Sequence, residues 1–376
     1  MRKHWIDNLR WVTVILVLLY HVIYFYNNKG VFGGVGGFGD GPQYQDTLMY
    51  VLYPWFMPLL FILAGVSARY SIQRNSTKKW FKNRTRKLLV PSTIGLLVFQ
   101  WMTGYFNTHV AGNDVLDSVQ QPVKFFAWAF SGIGPLWFIQ DLWLFSLLLL
   151  LIRKITSSLS RITKCSKTCN CFASKGWLSV VALAVLGIIL FWLGERTLIF
   201  NPRPDSMDGL WNLYKPVFYI IPFLLGYYVF SYDEVQKTLG KFWIPLMATA
   251  VISGAVLTIT TFGKNNTIPQ YLASPLNCIY GWLMCMAMMG WFKARFDSTN
   301  RFATYMTQSS FGLYIVHYLI IASFGYMMYH YTQLPPAAMY FILTAAVLII
   351  SPLLYEILHR IPIIRWCIFG EKGSKR

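Results

Sequence analysis

The hydrophobic pattern of this chain is a series of long apolar runs separated by short polar stretches. Each run approaches the roughly 20 helical residues that are needed to cross a bilayer. Ten runs have this character: residues 9–27, 48–68, 89–106, 135–152, 177–194, 213–230, 243–262, 272–292, 309–330 and 337–355. The pattern predicts an all-α, multi-pass membrane protein of about ten transmembrane helices. We expect one membrane domain over residues 5–355 and a basic cytoplasmic tail over residues 356–376.

The distribution of charge predicts how these helices are oriented. With the N-terminus inside, 27 of the 33 Lys and Arg residues fall in inside segments, as the positive-inside rule expects. Both termini are therefore predicted to be cytoplasmic. As a separate expectation, the membrane is the plasma (inner) membrane. The net charge of +19 is explained by topology, so the lipid bilayer is the expected partner and nucleic acid is not.

The composition excludes a soluble globular protein, because 56% of the residues are hydrophobic and only 12% are charged. The first run carries His21 and lacks a small-residue cleavage pattern, so a cleavable signal peptide is not expected. Cys165, Cys169 and Cys171 lie in a predicted inside loop with no histidine near them. We therefore predict neither a disulfide framework nor a metal site.

His21 lies two-thirds of the way along the first apolar run, where an ionisable side chain is unusual. Such residues normally face a protein interior or a watery cavity. Arg10 stands eleven residues earlier, within about 20° of three helical turns, so both side chains leave the same stripe of the helix, as does Asp7. Two interpretations stay open: a histidine base in a buried cavity with Arg10 near its cytoplasmic mouth, or a packing histidine hydrogen-bonded to a neighbouring helix.

The densest basic segment covers residues 69–88. Its eight cations are Arg69, Arg74, Lys78, Lys79, Lys82, Arg84, Arg86 and Lys87. Arg84 and Lys87 are three residues apart, so on a helix they share a face and could clamp one phosphate group. Ordinary positive-inside anchoring explains most of the other cations equally well.

Two further ionisable residues fall inside apolar runs. Asp141 follows Trp137 by four residues, and a carboxylate in hydrocarbon should pair with a cation, a donor or water. It could orient His21 or form a structural bond between helices. His317, close to Tyr314 in the ninth run, is a weaker candidate for contact with a substrate.

Several motifs occur in a fixed order. The stretch WIDNLRWVTVILVLLYH supplies Asp7, then Arg10 and, after ten intervening residues, His21. The second run ends in FILAGVSARY, which contains Gly65. NRTRKLLVP follows, with the basic pair described above placed just before a proline. GPLWF and SSFGLYIVHY appear later in the chain.

In this order the motifs resemble the acyltransferase 3 family of integral membrane acyltransferases, over residues 5–355. Two positions depart from the family pattern. Lys87 stands where the family has a second arginine, which weakens the case for a bidentate grip there. Asp141 stands in PLWFIQD where many members carry glutamate, and this resembles the branch that contains glucan succinyltransferases.

The resemblance implies an O-acyltransferase of the kind that transfers groups other than aminoacyl groups. It implies acyl-CoA, either acetyl-CoA or succinyl-CoA, as a co-substrate with no permanently bound cofactor. The acceptor would be a hydroxyl of a cell-surface or exported glycan. A homodimer is a candidate assembly. His21 lies roughly 18 Å along the helix from Leu9, past the bilayer midplane, which suits an acceptor on the outer side.

The residue patterns above and the resemblance together suggest roles for individual residues. His21 would be the general base, supported by Asp141, and Arg10 would hold the donor or support the histidine. The remaining candidates divide into a group for the CoA phosphates, namely Arg84, Lys87, Arg86 and Arg69, and a group for substrate contact, namely Trp137, His317 and Tyr314.

Two functions from other classes stay open on the sequence. A transporter of acyl groups, small anions or lipid-linked sugars could use His21 and Asp141 as a proton relay. The sequence shows no inverted repeat or matched pair of interrupted helices to favour it. A lipid- or partner-binding protein without catalysis would not need His21.

Overall fold

The computed structural model describes residues 3–27, 38, 41–110, 116, 118–158, 176–200, 213, 215–264 and 269–372. Within these ranges every regular element is a helix. The helices are α1 (His4–Phe25), α2 (Thr47–Leu52), α3 (Phe56–Arg74), α4 (Thr77–Gly95), α5 (Trp101–Val110), α6 (Val123–Ser131), α7 (Trp137–Ser158), α8 (Trp177–Phe200), α9 (Pro216–Leu225), α10 (Asp233–Lys241), α11 (Trp243–Thr261), α12 (Pro269–Leu272), α13 (Pro275–Arg295), α14 (Arg301–Tyr331), α15 (Pro336–Arg360) and α16 (Pro362–Phe369). Cys165, Cys169 and Cys171 lie outside the described residues.

Short turns of other helix types extend some of these elements. A π-helical turn over Leu96–Gln100 joins α4 to α5, and a second one over Gly226–Phe230 extends α9. Tyr44–Asp46 and Gly134–Leu136 form 3-10 turns that lead into α2 and α7. The chain therefore stays helical from α4, which contains Pro91, through the π-helical turn to α5.

The prediction of an all-α polytopic membrane protein is confirmed. Each of the ten predicted runs is helical over most of its described residues, and in the described part of the chain eight helical spans are long and apolar enough to cross a membrane. The other two runs correspond to Pro216–Phe230, which is shorter, and to α13. Most residues of α13 are buried inside the bundle, so little of its surface needs to be compatible with lipid.

The glycine of the second run permits a close contact between helices. A Cβ atom on Gly65 would lie 2.0 Å from the carbonyl oxygen of Phe223, and one on Gly226 would lie 2.2 Å from that of Ile62. Only hydrogen atoms fit at these two positions, so the backbones of α3 and the turn after α9 touch directly. Small residues serve the same purpose in other membrane bundles.

The basic segment over residues 69–88 lies at one end of the bundle, where α3 ends and α4 begins. We call the end where α1 begins and α3 ends the basic end. There the Lys3 ammonium donates to the Tyr70 hydroxyl at 2.9 Å and to Gln236 Oε1 at 2.6 Å, and it also pairs with Asp233. Burial alone would lower the pKa of Lys3, but the hydrogen bonds to Asp233 and Tyr70 raise it above its ordinary value. These contacts tie the start of the chain to α3 and α10.

The predicted tail, residues 356–376, is helical over most of its described part. α15 continues to Arg360, and α16 then packs against α4 with Ile368 and Phe369 buried. Gly370 follows with a φ of +62°, and a Cβ atom there would lie 2.4 Å from the carbonyl oxygen of Arg86. The segment after the last long helix is therefore fitted onto the basic helix α4.

Candidate active site

A pair of histidines lies in the interior of the bundle. His21 comes from α1 and His317 from α14, which pack side by side. Nδ1 of His21 and Nε2 of His317 are 3.0 Å apart, which is a hydrogen-bond distance. The side chain of His317 is completely buried, whereas that of His21 is partly exposed. The second nitrogen of His317, Nδ1, lies 2.7 Å from the carbonyl oxygen of Tyr314.

Tyr314 contacts His317 of this pair, and Asp141 lies close to Tyr314. The hydroxyl of Tyr314 donates to the carbonyl oxygen of Pro135, which leads into α7. The carboxyl group of Asp141 is completely buried and lies close enough to Tyr314 to interact with it electrostatically. The sequence left two roles open for Asp141, the orientation of His21 and a structural bond between helices. In the structure Asp141 lies close to Tyr314, whose carbonyl oxygen faces His317.

Aromatic rings surround His21. Tyr318 stands edge-on to both imidazoles, with ring centroids 5.0 Å from His21 and 5.4 Å from His317. Tyr20 and Tyr24 are 5.4 and 5.9 Å away. Since rings enclose the imidazole on several sides, its orientation is restricted by packing.

Trp137 packs against other aromatic rings than those around His21. Its ring is 5.3 Å from that of Tyr219 and 6.3 Å from that of Phe61. Trp137 is partly exposed and belongs to the same turn of α7 as Phe138, whose ring packs at 5.8 Å from Tyr314. The four predicted residues Trp137, Asp141, Tyr314 and His317 are therefore brought to one region of the α7–α14 contact.

Two arginines converge nearer the basic end. Arg10 donates from Nη1 to Asp7 at 3.2 Å and from Nη2 to the Ser67 hydroxyl at 2.6 Å. Arg84 donates from Nε to the Ser146 hydroxyl. The two guanidinium groups lie close enough for their positive charges to repel. Nη2 of Arg84 is buried and has no hydrogen-bond partner, so the pair has a donor left for an anion.

Lys87 and Arg86 have other partners. The Lys87 ammonium lies 3.5 Å from Glu371 Oε1, and its side chain is 49% exposed. Arg86 donates from Nε to the carbonyl oxygen of Gly370 at 3.0 Å. Although Arg84 and Lys87 share a helix, the structure gives one a partner in α7 and the other a partner after α16, so they form no shared clamp in this state.

Arg69 is placed as a link between helices. Its guanidinium donates to the carbonyl oxygen of Tyr227 at 3.2 Å and lies 4.2 Å from the ring centroid of Tyr232. Both residues follow α9, so Arg69 joins α3 to that segment. Such a contact restricts the guanidinium and leaves less of it available to a ligand.

Sequence reasoning missed a buried ion pair toward the end of the bundle opposite the basic end. Lys215 lies 3.1 Å from Glu195, and their side chains are only 3% and 5% exposed. The Lys215 ammonium also lies 5.4 Å from the ring centroid of Tyr53. Glu195 and Lys215 each lie at the end of an apolar run, where a charged residue is normally interpreted as an anchor at the membrane interface. No signal in the sequence therefore linked the two residues. Ser67 and Ser146, the partners of the two arginines, were also missed, because each lies on a different helix from its arginine.

These features define a helical membrane protein with ionisable groups gathered inside its bundle. The chain belongs to the acyltransferase 3 family, since the family model, described as an acyltransferase domain, matches residues 3–356. It is thus a membrane acyltransferase, as the resemblance of its motifs predicted.

Similar proteins include glucans biosynthesis protein C from Salmonella schwarzengrund (strain CVM19633), Salmonella typhimurium (strain LT2) and Salmonella typhi. Each is 24% identical over 396 residues, a match that covers 100% of this chain and 96% of the relative. No solved structure matches the chain.

Proposed function

We propose that the protein transfers an acyl group, acetyl or succinyl, from cytoplasmic acyl-CoA to a hydroxyl of a glycan at the opposite side of the plasma (inner) membrane. Its similarity to glucans biosynthesis protein C supports a glucan or a related saccharide as acceptor. The excess of Lys and Arg in the segments around the basic end supports a cytoplasmic location for that end.

The observation that carries this proposal is the arrangement along α1. One continuous helix presents Arg10 toward the basic end and His21 deeper in the bundle, roughly 16 Å apart at 1.5 Å per residue. A donor with a phosphate-bearing head and a reactive thioester at the end of a long arm suits such a separation. The head would bind near Arg10 and the thioester carbon would reach His21.

The reaction follows from these positions. His21 removes the proton of the acceptor hydroxyl, and the hydroxyl oxygen attacks the thioester carbonyl carbon. The carbon–sulfur bond breaks, an ester forms, and the departing sulfur takes the proton back from the imidazolium. No serine or cysteine nucleophile is required, because the acceptor oxygen attacks directly.

The two arginines would hold the donor. Arg10 and Arg84 repel each other, and a phosphate between them would remove that repulsion. It would also accept the buried Nη2–H of Arg84 that has no partner in the protein. Lys87 and Arg86 would lie at the rim of this site, and Arg69 would support the helices around it.

The test is binding and single-turnover transfer by the purified protein in nanodiscs. We expect saturable acyl-CoA binding and, with an oligosaccharide acceptor, formation of an ester together with one equivalent of free CoA thiol. A protein that binds no acyl-CoA, yet moves a solute across proteoliposomes in a manner that depends on His21, would overturn the proposal in favour of a transporter.

A further inference from the structure

Both nitrogens of His317 are engaged inside the protein. Nδ1 faces the carbonyl oxygen of Tyr314 at 2.7 Å, and Nε2 faces Nδ1 of His21 at 3.0 Å. Because the residue is completely buried, water cannot substitute for either partner. The two contacts therefore determine together where the protons of the pair lie.

The carbonyl oxygen fixes the first proton. A carbonyl oxygen can only accept, so Nδ1 of His317 carries a hydrogen atom. In a neutral imidazole the other nitrogen is then an acceptor, and Nε2 of His317 presents a lone pair to His21. Nδ1 of His21 must supply the hydrogen atom of that contact. In its neutral form, His21 consequently carries its own lone pair on Nε2.

From this geometry we infer that His317 is a positioning residue, which fixes the tautomer and the ring orientation of His21 so that Nε2 is the basic atom. This inference rests on the proposed function, in which His21 is the general base. It assigns His317 a role other than the substrate contact that the sequence suggested. His317 touches no reacting atom and acts through His21 alone.

The surroundings of His317 hold the pair in place. Tyr314, which supplies the carbonyl oxygen, is itself anchored by its hydroxyl to the carbonyl oxygen of Pro135. The Tyr318 ring lies at 82° to both imidazole planes. Gly134, next to the anchor point, has no room for a side chain, since a Cβ atom there would lie 2.8 Å from the Tyr318 ring. Rotation of either imidazole would therefore disturb several packed groups.

This arrangement also favours the step in which His21 is protonated. When Nε2 of His21 takes the hydroxyl proton, the ring becomes an imidazolium, and its Nδ1–H bond to His317 becomes a charge-assisted hydrogen bond. In a catalytic triad a carboxylate orients the histidine in this way and adds a full negative charge. Here a neutral imidazole provides the orientation and a lone pair.

Nitrogen NMR tests the tautomer directly. The chain has six histidines, which can be labelled selectively with ¹⁵N in nanodiscs, and a His21→Ala variant identifies the signals of His21. We expect the wild type to show His21 protonated on Nδ1. In His317→Leu the preference for Nδ1 should be lost, whereas His317→Gln, which keeps an acceptor oxygen, should retain part of it. His330→Gln, at the exposed end of the same helix, should leave the His21 signals unchanged.

Kinetics provide the second measurement. His317→Leu should lower kcat by roughly 10²-fold, within the range of general-base effects, while the KM for acyl-CoA stays within about twofold. His317→Gln should restore at least tenfold of the lost kcat. Retained thermal stability and elution as a single species would show that both variants are folded.

The outcomes separate the two proposals. A wild-type His21 that is protonated on Nε2, or a folded His317→Leu protein with an unchanged tautomer and kcat, would overturn the positioning role. A wild type with the expected tautomer that transfers no acyl group would leave the proton assignment standing and overturn the proposed function instead.

Discussion

The histidine pair and the arginine pair are built differently, although both gather charged or ionisable groups within one helical bundle. Both ring nitrogens of His317 and Nδ1 of His21 face other groups of the protein. At Arg84, by contrast, one buried N–H group has no partner, and a second guanidinium repels it. Under the proposed function, the first site is assembled before any substrate arrives, while the second is completed by the phosphate of the donor.

The difference follows from what each site has to do. A base must hold a lone pair in one direction, so its supporting hydrogen bonds have to be present in the resting protein. A binding site for a multiply charged group gains affinity by leaving donors unsatisfied until the ligand supplies acceptors. Each site can be tested by removing the feature on which it depends.

The largest effect is expected for the base itself. His21→Ala removes the proposed general base, so kcat for acyl transfer should fall by about 10²–10⁴-fold, with acyl-CoA affinity nearly unchanged. His330→Ala provides the matched control, because it removes an exposed imidazole from the same bundle. A folded His21→Ala protein that transfers at the wild-type rate would make His21 a packing residue, as the alternative interpretation of the sequence holds.

Removal of Arg84 should act on binding instead of chemistry. Arg84→Ala deletes the unpaired donor and one of two converging charges, so the Kd for acyl-CoA should rise by at least about tenfold, the loss of one charge-assisted contact. Lys82→Ala removes an exposed cation from the same helix and should change the Kd by less than about twofold, as expected for an exposed charge. Equal losses in the two variants, measured by calorimetry, would show that only the general positive field matters.

Asp141→Asn tests the buried carboxyl group that lies close to Tyr314. The change preserves shape and removes the negative charge next to Tyr314, which holds His317 in place. We expect kcat to fall by roughly tenfold, about 1.4 kcal/mol of transition-state stabilisation, with a shifted pH optimum. The measurement is the pH–rate profile of the purified variant. Reduced protein yield with an unchanged profile would instead mark Asp141 as a structural residue.

The sequence predicted those parts of the site that lie on one helix. The spacing of Asp7, Arg10 and His21 placed them on one stripe, and the structure joins Arg10 to Asp7. The contact between His21 and His317 could not be predicted in this way, because 296 residues separate them and helix periodicity carries no information about which helices are neighbours.

The basic segment shows a second limit of sequence reasoning. Helix spacing alone puts Arg84 and Lys87 on one face, and both are cations suited to phosphate. Their partners depend on tertiary packing, since Arg84 reaches Ser146 in α7 and Lys87 reaches Glu371 beyond α16. Tertiary packing therefore decides which of the two cations keeps a donor available to a ligand, and it leaves the buried Nη2 of Arg84 without a partner.

The smallest effect is expected at Glu371, whose carboxylate lies between Lys87 at 3.5 Å and His359 at 3.0 Å. Glu371→Gln would release Lys87 toward the donor site, so the affinity for acyl-CoA should increase, by less than about fivefold because Lys87 is half exposed and such pairs are weak. Glu234→Gln breaks an exposed pair with Lys237 elsewhere and serves as the control. Calorimetric titration at low and high salt measures the change, which should vanish at high salt because exposed charges are screened. An unchanged affinity in Glu371→Gln at low salt would exclude Lys87 from the donor site and leave the arginine pair to bind the phosphate.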